Sequence, residues 1–479
     1  MFDILNNVNY EIINKGKEFE INEIHYDSRK IKENDVFCAM TGAVVDGHDY
    51  IEKALEKGAK LIIVENKDIK VTNKDVTYIF VKNLRKKLGI IASNFYNWPQ
   101  NKIKILGITG TNGKTTSSYI LDNMLEKTSR IGTIGYKILD EEIEAPNTTP
   151  ESLDLIKLIA KSVEKGVEYF IMEVSSHALE IGRVDMLEFD SVIFTNLTQD
   201  HLDYHETMEK YFDAKFKLFS MLRDKNGASV NIDDSYGKRI FETNKNYKSY
   251  SIKADSDLKG KILEYTNNGM KVSMTYKEKE YEFMTKLVGD YNLYNILGCV
   301  GMLLNLGFTI DEILEKLKKV DYVPGRFELV DNGQNFRVIV DYAHTDNGLE
   351  NILETVRKVT DNKVITIFGA GGDRDNAKRP KMAQAAAKYS DYLIITSDNP
   401  RTEDPEKIVK EVEAGLKEIN FPKENYTIII SREEAIKYGV KMSKEKDSLL
   451  IAGKGHEDYQ ILGREKIHFD DREIARKYL

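Results

Sequence analysis

The stretch GITGTNGKTT at 107–116 constrains this chain more than any other. It follows the apolar run KIKIL and precedes SSYILDNMLEK, so a strand, a Gly-rich turn and a helix start come in that order. That order predicts α/β architecture, with a phosphate cradle at the carboxyl end of a parallel strand. Consecutive backbone N–H groups from Gly110 to Thr115 would face phosphate oxygens, and the helix N-terminus would add favourable dipole charge. Lys114 would reach the β/γ-phosphates of a nucleotide, and the Thr115 hydroxyl would ligate Mg²⁺. The strict phosphate-loop spacing is broken: Ile108 stands five before Gly113, and Gly107 and Gly110 lie on either side of it.

The strand–helix rhythm extends along the chain. LIIVE (61–65), YIFV (78–81), VEYFIMEV (167–174) and DSVIFTNL (190–197) read as strands, and IEKALEKGA (51–59) reads as a helix. The alternating KVSMTY and EYEFMT, within 247–290, suggest an antiparallel patch appended to the central domain. Beyond Pro324-Gly325, FRVIVDYAH, KVITIFGAGG, DYLIITSDN, NYTIIIS and DSLLIAGKG give five buried-strand candidates of a doubly wound domain. A chain of 479 residues exceeds one ordinary core. The turn signals near NFYNWPQNK (94–102) and at Pro324-Gly325 place three domains at 1–98, 99–325 and 326–479.

Composition excludes several classes. A net charge of -8 argues against broad nucleic-acid binding, which needs an extended basic surface. No run reaches the roughly 18–20 apolar residues of a membrane span. MFDILNNVNYEI lacks the basic and apolar regions of a signal peptide. Cys38 and Cys299 lie far apart in apolar surroundings and read as buried thiols of a cytoplasmic protein.

Further polar groups cluster at predicted strand ends. Glu173 closes FIME, where a carboxylate would approach Mg²⁺; a solvated strand-end Glu has the same pattern. Asp200, His201, Asp203 and His205 follow another strand and suit metal or substrate ligation, or a helix cap and polar face. Asn292 and Asn295 share one helix face at i,i+3, which equally fits capping. Arg326 stands at a domain boundary where it could pair with a phosphate, and Asp341 ends a strand where it could accept ribose hydroxyls. GGDRDNAKRP, SDNPRTEDP and AGKGHEDYQ each follow an apolar strand, and their Arg374, Arg401 and Glu457 would hold a zwitterion.

GxxGTNGKT, MEVSSHAL, FTNLTQDHLDYH, the AK of DAKFKLF, PGRFE, DYAHT and GKGHEDYQ, in that order, resemble the Mur ligases. The likeness runs from DSR (27–29) to HEDYQ (456–460) and is nearest to the members that add the third residue of the peptidoglycan stem peptide. It implies a UDP-precursor domain, a central P-loop ATPase domain and a C-terminal amino-acid domain. The implied reaction activates the carboxylate of UDP-MurNAc-L-Ala-D-Glu as an acyl phosphate with ATP, and a diamino acid's amine then attacks it. Such a protein would be a cytoplasmic monomer without nucleic-acid or membrane partners.

The resemblance also assigns residues. Gly110, Thr111, Asn112, Gly113, Lys114, Thr115 and Thr116 would hold the nucleotide phosphates, and Asn292, Asn295, Arg326 and Asp341 the rest of it. Thr115, Glu173, His201 and Lys215 match the metal-site positions. Lys215 would be carbamylated, since an ammonium repels Mg²⁺ whereas a neutral amine and CO₂ give an anionic oxygen ligand. Lys217 would be an ordinary surface lysine. Ser28 and 43–45 fall where uridine is held, and Thr148, Thr149, Ser175 and Arg183 where the muramoyl dipeptide is held. Asp398, Asn399, Pro400 and Arg401 resemble the signature of enzymes taking meso-diaminopimelate, whose second carboxylate Arg401 would pair with. Arg374, Gly453 and Glu457 match the remaining amino-acid contacts. Lanthionine or L-lysine as the diamino acid, and an ATP-driven switch, are the alternatives. Glu206, Asp346 and Ala377 depart from the usual Gly, Pro and Gly of the family, and Ile181 replaces an often polar residue.

Overall fold

The computed structural model describes residues 2–42, 45–266 and 269–479. Two compact units divide it: 1–259 with 296–316, and 260–295 with 317–479.

The first unit holds two sheets. Near the N-terminus, Glu11–Asn14, Thr77–Phe80, Leu61–Val64, Val36–Ala39 and Ile24–His25 lie side by side in that order, the first pairing antiparallel and the others parallel. In the second sheet Lys104–Thr109 is central, in parallel register between Tyr169–Glu173 and Ser191–Phe194. Ala228–Asn231 and Lys248–Ser251 extend it on one side and Thr128–Ile131 on the other, all parallel. Leu61–Val64, Lys104–Thr109, Tyr169–Glu173 and Ser191–Phe194 are nearly continuous apolar runs, as strands covered on both faces require, whereas Thr128–Ile131 and Lys248–Ser251 are mostly polar in sequence.

One apolar core joins both sheets. Ile4, Leu88 and Ile91 belong to the same buried cluster as Leu153, Ile156 and Phe170. Polar groups fasten the same seam. Arg85 Nη1 donates to Glu151 Oε2 at 2.6 Å, Lys157 Nζ donates to the Ile24 carbonyl at 2.8 Å, and the Tyr26 hydroxyl donates to Asp154.

In the second unit the five expected C-terminal strands form one parallel sheet, ordered Arg337–Asp341, Ser448–Ala452, Val364–Phe368, Tyr392–Ile395 and Tyr426–Ile428. Glu328–Leu329 adds an antiparallel edge. Alternate residues of one strand enter different cores: Val338 and Val340 pack on one face and Ile339 on the other. Both faces are therefore covered, which is the doubly wound arrangement expected. The alternating segments pair as the antiparallel hairpin Gly269–Tyr276 and Lys279–Thr285.

Two of the four sequence departures have local explanations, and nothing in the structure explains Ile181. Asp346 opens the helix Asp346–Lys358 behind the Thr345 cap, where a carboxylate is favoured by the helix dipole. Ala377 has ordinary helical angles, φ −65° and ψ −21°, so no glycine is required. Glu206 is different: its φ of 65° places a non-glycine residue in a region costing on the order of 1–3 kcal/mol.

Candidate active site

The phosphate-like loop joins the strand Lys104–Thr109 to the helix Lys114–Met124. Gly110 has φ +147°, and a Cβ there would lie 1.9 Å from Thr195 Oγ1, so both conformation and space demand glycine. The end of the neighbouring strand fastens the loop. Thr111 N donates to the Asn196 carbonyl at 2.8 Å, and Asn112 N donates to Asn196 Oδ1 at 3.0 Å. Thr195 Oγ1 donates to the Asn112 carbonyl at 2.6 Å. Two of the N–H groups expected to line the cradle between Gly110 and Thr115 are therefore directed at Asn196 in this structure. Of the expected cradle, the helix start at Gly113–Thr116 is the part whose geometry suits an anion.

Two lysine side chains converge on one carbonyl. Lys114 Nζ donates to Gly110 O at 2.9 Å and to Thr111 O at 2.8 Å. Lys215 Nζ donates to Gly110 O at 2.9 Å from the helix Met208–Ser220, above the Tyr211 ring. Lys215 is buried, and burial, then the Lys114 charge, lower its pKa well below the ordinary lysine value. Lys217 pairs instead with Glu180 at 2.8 Å and is half exposed, as expected of a surface lysine.

Glu173 is completely buried. Its Oε2 accepts from Thr115 Oγ1 at 3.0 Å and from Thr133 Oγ1 at 3.1 Å, and its Oε1 accepts from Thr133 N at 3.1 Å. Thr133 Oγ1 also lies 3.1 Å from Thr148 Oγ1. Thr149 Oγ1 donates to the Glu173 carbonyl at 2.8 Å, Ser175 N donates to Thr149 Oγ1 at 3.1 Å, and Arg183 Nη1 donates to Thr149 O at 2.9 Å. Thr115, Glu173, Thr148, Thr149, Ser175 and Arg183 thus form one network beside the loop. Thr133 was absent from the sequence expectations; its only signal is its place in the IGTIG turn after a strand.

Thr115 and Glu173 offer adjacent oxygens next to the helix start, which suits a hard cation that keeps water and phosphate ligands. Among the described residues no group of three or more His, Cys, Asp or Glu forms a metal cage. His201 lies with other rings: its centroid is 5.2 Å from His177 and 6.1 Å from Tyr211, and its Nε2 is 3.5 Å from Asp200 Oδ2. His205 Nε2 lies 2.9 Å from Ser176 Oγ, and burial, then His177 and His201, lower its pKa. The Asp203 side chain and residues 43–44 lie outside the described part. Ser28 is buried after the strand Ile24–His25.

The other expected residues belong to the second unit. Asn292 and Asn295 are buried, with Asn295 Nδ2 3.5 Å from Asn292 Oδ1. Asp341 Oδ2 accepts from Phe327 N and Oδ1 from Ala343 N, each at 2.8 Å, while burial raises the carboxyl above its ordinary value. Arg326 stacks 4.7 Å from the centre of the Tyr342 ring, and its buried Nε has no hydrogen-bond partner among the described residues.

Three strand-end loops meet beside them. Arg401, at φ 51°, donates from Nη1 to the Gly372 carbonyl at 2.8 Å. Asp398 Oδ1 accepts from Asn399 N at 2.6 Å, and Asn399 Nδ2 donates to Glu457 Oε2 at 2.9 Å. Gly453 has φ +118°, and a Cβ there would lie 2.6 Å from Asp398 Oδ2. Pro400 is covered against Gly372, whereas Arg374 is exposed and donates to its neighbour's carbonyl at 3.3 Å. Two groups were not anticipated. Lys454 is buried against Glu457, and Arg432 pairs with Asp471 through two bonds of 2.7 Å.

Comparison with known proteins accounts for nearly all of the chain. Residues 20–96 match the Mur ligase family catalytic domain, 108–303 the Mur ligase middle domain, and 325–455 the Mur ligase glutamate ligase domain. A UDP-N-acetylmuramoyl-L-alanyl-D-glutamate–2,6-diaminopimelate ligase of Fusobacterium nucleatum is 49% identical, over 99% of this chain and 97% of its own. One of the same name from Clostridium tetani is 45% identical, over 100% and 98%. A solved structure of a ligase of that name is 30% identical, with TM-score 0.68 over 96% of this chain and 94% of its own. MurF ligase of Thermotoga maritima, solved with ADP, is 19% identical with TM-score 0.66 over 95% and 97%, a likeness of fold.

Proposed function

This chain belongs to the Mur ligase family, and we propose that it is an ATP-dependent ligase joining meso-2,6-diaminopimelate to UDP-MurNAc-L-Ala-D-Glu in peptidoglycan precursor synthesis. Residues 1–98 would hold the UDP-precursor, 99–325 the nucleotide and 326–479 the amino acid. The protein would work in the cytoplasm as a monomer.

Bound Mg²⁺–ATP supplies the phosphoryl group that activates the substrate carboxylate. The chain's own task is to gather anions and hold them in register. Lys114 and the helix start at Gly113–Thr116 take the phosphates. Thr115 and Glu173 would hold Mg²⁺, and His201 and Lys215 are the further candidates for that role. Lys215, buried and driven toward the neutral amine, is suited to attack CO₂: an N–C bond forms, a proton leaves, and a carbamate oxygen results. Thr148, Thr149, Ser175 and Arg183 flank Glu173 on the side assigned to the muramoyl dipeptide. Asn292, Asn295, Arg326 and Asp341 would contact the rest of the nucleotide.

The observation that carries the choice of amino acid is Arg401 in the DNPR loop, beside Asn399 and Glu457. A guanidinium held by a backbone carbonyl is preorganised for the second carboxylate of meso-diaminopimelate. Phosphate release should be measured with the UDP-precursor and each of meso-diaminopimelate, lanthionine, L-lysine and L-ornithine. The reading expects release only with both substrates present, and fastest with meso-diaminopimelate. L-lysine as the best substrate would overturn the Arg401 argument, and release without either substrate would favour a nucleotide switch.

A further inference from the structure

The GKGHEDYQ loop buries an ammonium to which the reaction assigns no part. The Lys454 side chain is 0% exposed, and its Nζ lies 3.1 Å from Glu457 Oε2 and 3.5 Å from Asn399 Oδ1. The Asn399 carboxamide is oriented independently, because its Oδ1 accepts from Ile461 N at 2.9 Å. Its Nδ2 therefore faces Glu457, so one carboxylate oxygen receives both the amide and the ammonium. The negative charge of Glu457 is matched inside the protein before any substrate arrives.

The surrounding charges show what this does to selectivity. Arg432 is matched by Asp471 in a fully buried pair, and Arg401 lies in the same loop as Asp398. With Lys454 on Glu457 and Arg432 on Asp471, each of these two carboxylates is matched by a cation of the protein itself. Carboxylates matched in this way suit a zwitterion whose own charges cancel. Meso-diaminopimelate is such a molecule, with two ammonium and two carboxylate groups. L-lysine lacks the second carboxylate and carries a net positive charge, so it gains less from a carboxylate already paired.

We propose that Lys454 is a specificity-determining positioning residue. Held on Glu457 and Asn399, it keeps the Glu457 charge matched and so favours diamino acids with a second carboxylate over those without one. The inference rests on the amino-acid site assigned above. It differs from the role of Arg401, because Arg401 attracts the carboxylate whereas Lys454 withdraws a reward from a lone cation.

The test is the ratio of kcat/KM for meso-diaminopimelate to that for L-lysine in the wild type, Lys454→Met, Lys454→Arg and Glu457→Gln. Lys454→Met should lower the ratio by about tenfold or more, chiefly through KM, and Lys454→Arg should keep it within about threefold of wild type. Glu457→Gln leaves the buried cation unmatched, so its ratio should rise; this variant carries the test if Lys454→Met does not fold. Equal losses for both amino acids in Lys454→Met, or a lower ratio in Glu457→Gln, would overturn the inference. A wild type that uses neither meso-diaminopimelate nor another diamino dicarboxylate would instead sink the substrate reading beneath it, and does so before any variant is made.

Discussion

Replacing Thr133 with valine should separate the work of its hydroxyl from that of its backbone. Valine nearly matches threonine in shape, and it keeps the amide that donates to Glu173 Oε1 at 3.1 Å. What disappears is the hydroxyl bond to Glu173 Oε2, also 3.1 Å, and the link to Thr148. A hydrogen bond to a charged group contributes about 1.5–3 kcal/mol. That corresponds to roughly 10- to 100-fold in an equilibrium or rate constant. Thr115 still donates to Oε2 at 3.0 Å, so the carboxylate stays close to its place and the lower end of the range is expected. The assay is steady-state phosphate release with all substrates, alongside thermal unfolding. Thr133→Val should lose about tenfold in kcat/KM for ATP, while Thr133→Ser should remain within about threefold of wild type. Thr148→Val, which breaks only the outer link, should cost less. Wild-type kcat/KM in Thr133→Val would refute the idea that this hydroxyl sets the Glu173 geometry.

Three other outcomes follow from features described above. Lys215→Ala should lose ligase activity with no rescue by bicarbonate, and full activity in that variant would remove the carbamate assignment. Arg432→Met strands the Asp471 carboxylate in a fully buried site and should cost about 3–5 kcal/mol in denaturant unfolding, most of it recovered in the Arg432→Met/Asp471→Leu double variant; a loss below about 1 kcal/mol in the single variant would contradict a tightly coupled buried pair. Burial, then Arg326, lowers the His456 pKa to about 3, against an ordinary 6.5 in the unfolded chain. Between those values the unfolded state binds the extra proton, so stability falls as pH drops through 6.5 toward 3, by at most about 1.4 kcal/mol per pH unit from this group. His456→Asn should therefore show a shallower loss than wild type in acid unfolding curves, and equal slopes would contradict a neutral buried imidazole.

Much of this architecture was legible in the sequence because buried parallel strands announce themselves. Runs such as KVITIF and DSLLIA cannot alternate with polar residues when helices cover both faces, and the strands Val364–Phe368 and Ser448–Ala452 lie where those runs predict. Gly110, Lys114 and Glu173 were legible for a related reason, since their chemistry depends on their place at a strand end. What escaped depends on partners distant in the chain. Asn196 takes two loop N–H groups from 84 or more residues away, and nothing in TNGKT marks them as spent. Lys454 lay in a motif already singled out, yet its pairing with Glu457 and Asn399 depends on how two loops fold against each other. Thr133 stands 40 residues before the carboxylate it holds, in a turn with no distinctive composition.

The apolar core shared by the two sheets of the first unit bears on how the protein can be cut. Leu88 and Ile91 come from the segment before Trp98, and Leu153 and Ile156 from the segment after it, yet all four occupy one buried cluster. A gene fragment beginning near residue 99 would leave Leu153 and Ile156 without that cover, and Asp154 and Lys157 without Tyr26 and the Ile24 carbonyl. Such a fragment would expose an oily face and tend to associate through it. The stretch that carries the nucleotide motif is therefore shorter than the stretch that must be expressed to keep it folded.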